Sequence, residues 1–258
     1  MITFNYHTHT TRCGHAFGSD EEYVLAAIKA GYKTLGFSDH APYKNLPRRK
    51  INMHWSDLKD YLDSLNYLKE KYKDIINIKI GLESEFIPKE EIIKEKEELR
   101  SMVDYMILGQ HYDDELLNGF FAFDHNSEEE ILRYAYTLCE AVDTGLFSII
   151  AHPDVIMTNQ LEFSKSCEIA AHMIGKKAQE KNIPLELNVH GVYRGRTYNN
   201  RFNYPNYDFW KILSNYDVKA VVGVDAHKPE HILDFEIINE GIDALKDLPI
   251  KIIDEPFI

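Results

Sequence analysis

The 258 residues predict an α/β fold: a parallel sheet closed as a distorted seven-stranded (β/α)7 TIM-like barrel. Three observations carry that expectation. Short apolar runs rich in Ile, Val and Phe alternate with longer segments of helical spacing. Parallel neighbours in a sheet need a crossover connection, and the alternation supplies one each time. The conspicuous polar residues, His above all, stand at the C-terminal ends of the apolar runs, which meet at one face in a parallel barrel. An open doubly wound sheet is the alternative arrangement of the same units. Neither G-x-G-x-x-G nor G-x-x-x-x-G-K-[ST] occurs, so a dinucleotide site and a P-loop are not indicated.

The predicted strands are Ile2–Tyr6, Thr34–Ser38, Ile76–Leu82, Tyr105–Leu108, Ser148–Ala151, Pro184–Val189 and Ala220–Val224. Between the first two, Ser19 with Glu22 reads as a capping box, and the helix it opens runs to Gly31, a common helix terminator. Leu58, Tyr61, Leu62, Leu65, Leu68 and Tyr72 then step by three and four, the period of an amphipathic helix. Ser127 with Glu130 forms a second capping box before the fifth strand. The apolar Ile250–Ile258 stretch looks strand-like, and its place is left open: closing the barrel, packing on it, or meeting a partner chain.

Composition narrows the function classes. Hydrophobic residues make up 44% and charged residues 28%, ordinary values for a globular chain, and no repeat or linker divides it, so residues 1–258 read as one domain. The formal net charge of −13 disfavours nucleic acid and anionic membranes as partners. An anionic substrate must then be met by local cations or bound metal. No apolar run approaches a membrane span, and the N-terminus lacks the basic and apolar regions of a secretion signal. Three scattered Cys without C-x-x-C argue against a disulfide framework, and a cytoplasmic location is expected.

His7 and His9 follow the first strand, Asp39 and His40 the second, Glu83 the third, His111 the fourth and His152 the fifth. Asp225 and His227 follow the seventh, and His15 lies in the first loop. In an extended H-x-H both imidazoles point the same way and can grip one ion. Imidazole and carboxylate suit Zn²⁺, Mn²⁺ or Fe²⁺. His7, His9, His15, His40, Glu83, His111, His152, Asp225 and His227 are too many for one tetrahedral ion, so two or three are expected, with bridging carboxylates. Paired metals are a recurring device for attack on phosphorus. Each motif alone is weak; Glu85 competes with Glu83 for the same strand face, and what carries weight is the joint pattern. Of the other histidines, His54 reads as an exposed loop residue, His172 as surface or core packing, and His125 and His231 as loop or helix-start residues, whereas His190, ending the sixth strand, is a candidate for the site.

H-T-H-T-x-x-C-G-H-A from His7, followed by G-F-S-D-H-A-P, G-L-E-S-E-F, G-Q-H-Y, A-H-P-D and G-V-D-A-H, resembles the PHP (polymerase and histidinol phosphatase) superfamily, and more narrowly its histidinol-phosphate phosphatases. The likeness runs from Asn5 to His227. It implies a distorted (β/α)7 barrel with a trinuclear site. By motif position, His7, His9, Glu83 and Asp225 would hold one ion, Glu83, His111 and His152 a second, and His15, His40 and His227 a third. Two departures are visible: Val224 where Ser is usual, and Asn188–Arg196 in place of a more usual N-x-S-G-x-R wording. The phosphate-binding residue is therefore Arg194 or Arg196, with His190 beside it.

The implied activity is hydrolysis of L-histidinol phosphate, a small phosphorylated substrate, by a hydroxide held between two ions. Asp225 or His227 would orient it or manage protons, and one Arg would hold the phosphoryl oxygens. Phosphoesterases for nucleotides, sugar phosphates or phosphotyrosine are the alternative. The Lys44–Trp55 loop, with Arg48, Arg49, Lys50 and His54, is either a solvated basic loop or a gate for an anionic substrate. Tyr193, Tyr198, Tyr204 and Tyr207 either wall an imidazole-sized pocket or pack their own connection. Cys13 reads as packing.

Overall fold

The structure is a computed structural model that describes residues 2–44, 46, 51–112, 121–197 and 204–258. Among the described residues, eight strands form one sheet in sequence order, and every neighbouring pair is parallel. They are β1 (Phe4–Asn5), β2 (Thr34–His40), β3 (Asn77–Ser84), β4 (Tyr105–Leu108), β5 (Ile149–Ile150), β6 (Leu185–Asn188), β7 (Lys219–Gly223) and β8 (Lys251–Ile252). The helices are α1 (Asp20–Ala30), α2 (Leu58–Lys71), α3 (Glu90–Met102), α4 (Glu128–Asp143), α5 (Lys165–Lys181), α6 (His190–Thr197), α7 (Tyr207–Leu213), α8 (Pro229–Leu233) and α9 (Phe235–Asp243).

The sheet curls on itself. Thr8 and Ala226, just beyond β1 and β7, form a parallel bridge, with His9 N donating to Ala226 O at 2.9 Å and Ala226 N to His7 O at 3.1 Å. An open doubly wound sheet does not bring its first strand against its seventh. The described residues form eight strands where the sequence predicts seven: β8 pairs with the start of β7, a two-residue strand inside the stretch whose place the sequence left open. Beyond it the chain turns under the curl, where the amides of Phe257 and Ile258 both donate to Tyr6 Oη at 3.1 Å.

Successive side chains of a strand face opposite ways, and the core follows that rule. Leu35 and Phe37, Ile78, Ile80 and Leu82, Met106 and Leu108, and Leu185 and Leu187 join a large cluster beneath the helices. The intervening positions belong to a second cluster of Phe4, Tyr6, Tyr105, Ile107, Ile149, Ala151 and Val221 inside the curl. Tyr105 fills that interior. Its hydroxyl donates to Tyr6 O (2.6 Å) and Phe37 O (2.9 Å), and a Cβ at Gly36 or Gly81 would collide with it. The helix ends follow the sequence signals: both capping boxes close as read, and Gly31 ends α1 in the left-handed region at φ 80°. No helix among the described residues is long and apolar enough to cross a membrane.

Candidate metal centre

The strand ends deliver side chains to one mouth of the curl. β2 runs on through His40 and β3 through Glu83, so those two are positioned by ladder hydrogen bonds rather than by loops. His7 and His9 extend β1, and their Nε2 atoms stand 3.2 Å apart. His9 Nε2 lies 3.0 Å from Asp225 Oδ1. Glu83 sits at the centre: Oε1 is 2.9 Å from His152 Nε2 and 3.7 Å from His111 Nε2, and Oε2 is 3.0 Å from His40 Nδ1. On the outer side, His15 Nε2 and His227 Nε2 are 3.0 Å apart. All nine candidates are thus gathered, seven of them with 6% or less of their surface exposed. Glu83 prevails over Glu85, which turns behind His111 and faces its Nδ1 at 3.3 Å while accepting from Tyr43 Oη at 3.1 Å.

Within the cluster the imidazoles and carboxylates shift one another's ionisation. Burial alone pulls the His7 imidazole down, but Glu186, Asp225 and Glu83 outweigh it and hold the group well above its ordinary range. His9 is raised against its burial by the facing carboxylates of Asp225 and Asp39, and His152 against its own by Glu83. Glu83 and Asp225 are held well below the carboxylate range: burial opposes their charge, and the surrounding imidazoles overcome it. For His40 and His227 burial wins, and both lie well below 6.5.

The residues fit divalent metal. Buried Glu83 Oε2, Asp225 Oδ1, His40 Nδ1 and His152 Nδ1 have no hydrogen-bond partner among the described residues. Unmet buried acceptors are rare in native proteins and call for an explanation such as an ion. Nitrogens facing each other at 3.0 and 3.2 Å match ligands of one tetrahedral ion, which stand roughly 3.3 Å apart when bonds are about 2.05 Å. Donor atoms converge within 4.8 Å of one another in several sets: His7, His9 and Glu83; His7, His152 and Asp225; His40, Glu83 and His111; His9, His40 and His227. A further set, His9, Cys13 and Asp39, is bound up internally. Asp39 meets His9 Nδ1 at 3.3 Å and accepts from the Thr10 hydroxyl, and Cys13 Sγ donates to Thr10 O at 3.0 Å.

Above the cluster opens a cleft of about 410 Å³. Arg194 lines it, its guanidinium 4.6 Å over the Phe123 ring. Arg196 does not: it is half-exposed and bound to Glu236 at 3.0 Å and to Glu240. His190 lines the cleft, and burial pushes its imidazole down to about 3. Tyr193 and Tyr204 also line it, whereas Tyr207 lies on the surface and Tyr198 outside the described residues. Arg48, Arg49 and Lys50 lie outside them too; of that loop Ile51 reaches the cleft, and His54 is exposed. His125 and His172 are exposed as read. His231 stands in the first turn of α8 as a helix-start residue, and beyond that reading it is buried and forms part of the wall. Phe121, Phe123 and Lys228 were also missed, for no local pattern marks a residue as facing a cleft.

The model of the PHP domain matches residues 5–190. The chain belongs to the PHP domain family. Among its relatives is a probable histidinol-phosphatase of Deinococcus radiodurans, 29% identical over 236 residues, spanning 88% of this PHP chain and 86% of the relative. A probable histidinol-phosphatase of Schizosaccharomyces pombe is 23% identical over 92% of this chain and 85% of its own. Among solved structures, a histidinol phosphate phosphatase from Lactococcus lactis, in complex with zinc, L-histidinol and phosphate, shares the PHP fold. Its TM-score is 0.74 at 19% identity, covering 98% of this chain and 95% of that one.

Proposed function

We propose that this PHP protein is a metal-dependent phosphomonoesterase that hydrolyses L-histidinol phosphate to L-histidinol and phosphate. The observation that carries the reading is the cleft itself, lined by seven of the nine candidate metal ligands and by Arg194. The activity named for its relatives, and the ligands of the Lactococcus structure, supply the substrate. The whole chain acts as one domain, on a small molecule and in the cytoplasm, with seven strands forming the barrel proper and β8 an addition at its foot.

Two or three divalent ions of Zn, Mn or Fe belong with His7, His9, His15, His40, Glu83, His111, His152, Asp225 and His227. Bound there, they supply an activated water and neutralise charge on the phosphoryl oxygens. The protein does the rest. Arg194, steered by the Phe123 face, presents its planar fork to the non-bridging oxygens. His190, neutral at pH 7, offers a hydrogen bond beside it. Asp225 is held by Asn188, whose Nδ2 donates to Oδ2 at 3.1 Å, leaving Oδ1 to orient the attacking water. His227, its ring oriented by the Asp225 carbonyl 2.9 Å from Nδ1, is the alternative residue for orienting that water or handling its proton. Phe121, Phe123, Tyr193 and Tyr204 make an aromatic wall suited to an imidazole ring.

Steady-state phosphate release tests the reading. Protein reconstituted with Zn²⁺ or Mn²⁺ is offered L-histidinol phosphate beside nucleotide, sugar and tyrosine phosphates. The expected kcat/KM exceeds the rest by about 100-fold, nearly 3 kcal/mol of differential transition-state binding. Similar low rates on all of them would move the substrate to another small phosphate ester.

A further inference from the structure

β6 carries a charged residue where a buried strand ordinarily carries none. Glu186 lies between Leu185 and Leu187, is 2% exposed, and faces into the curl rather than toward the helices. Its Oε1 is 2.8 Å from His7 Nδ1. Its Oε2 accepts from the His152 amide at 3.0 Å and from Asn188 Nδ2 at 2.9 Å, and Asn188 in turn holds Asp225. A single carboxylate thus touches the side chain of one candidate ligand, the backbone of a second, and the anchor of a third. On β7 the register partner of Asn188 is Gly223, where a Cβ would stand 1.8 Å from Glu186 Oε1. The neighbouring strand therefore leaves room for this carboxylate.

We propose that Glu186 is a positioning residue of the metal centre, acting through His7. A carboxylate only accepts hydrogen bonds, so His7 must donate from Nδ1. That sets the tautomer a ligating His7 needs, with Nε2 facing His9, Glu83 and Asp225, at 3.2, 3.5 and 3.5 Å. Carboxylates behind ligating imidazoles set ring orientation and raise ligand basicity in this manner. The inference rests on the metal-centre reading above and adds a residue that ligates nothing itself.

The test is Zn²⁺ affinity of metal-stripped protein, measured by competition with a chromophoric chelator. Wild type, Glu186→Gln, His7→Ala and the double variant are compared, with the melting of each metal-free protein recorded. Gln preserves shape and an acceptor oxygen but loses the charge facing His7. Glu186→Gln should weaken Zn²⁺ binding by about 10- to 100-fold. In the His7→Ala background the same change should alter affinity by less than about 3-fold, since its target is gone. Equal affinities of wild type and Glu186→Gln would overturn the role. So would a full loss persisting without His7, which would place the effect on the backbone instead. If Glu186→Gln does not fold, Glu186→Asp, which keeps the charge and withdraws the oxygen, carries the same comparison. A wild type that binds no Zn²⁺ would remove the metal centre itself and this role with it.

Discussion

Arg194 and Arg196 stand two positions apart on one short helix and have opposite fates. The α-helical turn sends Arg194 over Phe123 into the cleft and Arg196 outward to Glu236 and Glu240. Arg194→Ala should lower kcat/KM by about 30- to 150-fold, the 2–3 kcal/mol of a hydrogen bond to a charged group. Arg196→Ala should leave kcat/KM within about 2-fold, because an exposed ion pair contributes at most about 1 kcal/mol, and to stability only. Steady-state kinetics on the two variants read both outcomes. His9→Ala or Glu83→Ala should abolish turnover and reduce bound metal by at least one equivalent in elemental analysis; full turnover with unchanged metal content would sink the ligand assignment. The metal-ligand candidates were legible in the sequence because eight of the nine lie just beyond or at the end of an apolar run, and His15 lies in the loop after the first. Glu186 was not, although it left a trace: one acid between two leucines of a strand that buries both faces. His231 left none, since its helix-start position fits surface and cleft equally.

Elements place these residues, and glycine sets how closely they approach. At Gly109, one residue past β4, a Cβ would stand 1.9 Å from Glu83 Oε1. Gly109→Ala must therefore push Glu83 out of the centre. The expected result is metal loss on a scale comparable to Glu83→Ala, together with overpacking of about 1–3 kcal/mol in a denaturant melt. The foot of β3 carries a pH signature. Asp104 accepts from Lys69 Nζ at 2.8 Å and from the Ile80 amide at 2.9 Å. Partial burial opposes its charge, but these donors prevail and hold its pKa below 3.8. A depressed carboxylate contributes stability that is present above its unfolded pKa and fades as pH falls through the folded one. Asp104→Ala should therefore cost about 1 kcal/mol at pH 7, discounted for exposure, and the gap to wild type should narrow below about pH 4. Chemical denaturation at both pH values reads it. At this scale the sequence did well with capping boxes and long strands, whose signals are local. It marked Ile250–Ile258 as strand-like but left β8 unplaced, because its pairing with β7 is decided by tertiary contact.

At the scale of the molecule, candidate ligands running from His7 to His227 converge on one site, so bound metal would tie β1 to β7 across the seam that the Thr8–Ala226 bridge begins. Only the native state assembles that site. Metal at 100 times its dissociation constant adds about 2.7 kcal/mol of stability, so chelation should lower the melting temperature by roughly 5–10 °C in a calorimetric scan. The strand-end residues that form the site are not relaxed. His152 and Asp225 both hold positive φ, 29° and 51°, a region that side-chain-bearing residues rarely enter. Such a backbone costs on the order of 1–3 kcal/mol per residue and persists only where its surroundings enforce it. Glycine at either place would relax the chain while discarding a candidate ligand. Metal-free His152→Gly or Asp225→Gly should then melt no lower than metal-free wild type, although each is catalytically dead. Under selection for endurance alone this sequence would drift away from its chemistry, and the left-handed turns at these two positions mark where activity and robustness pull in opposite directions.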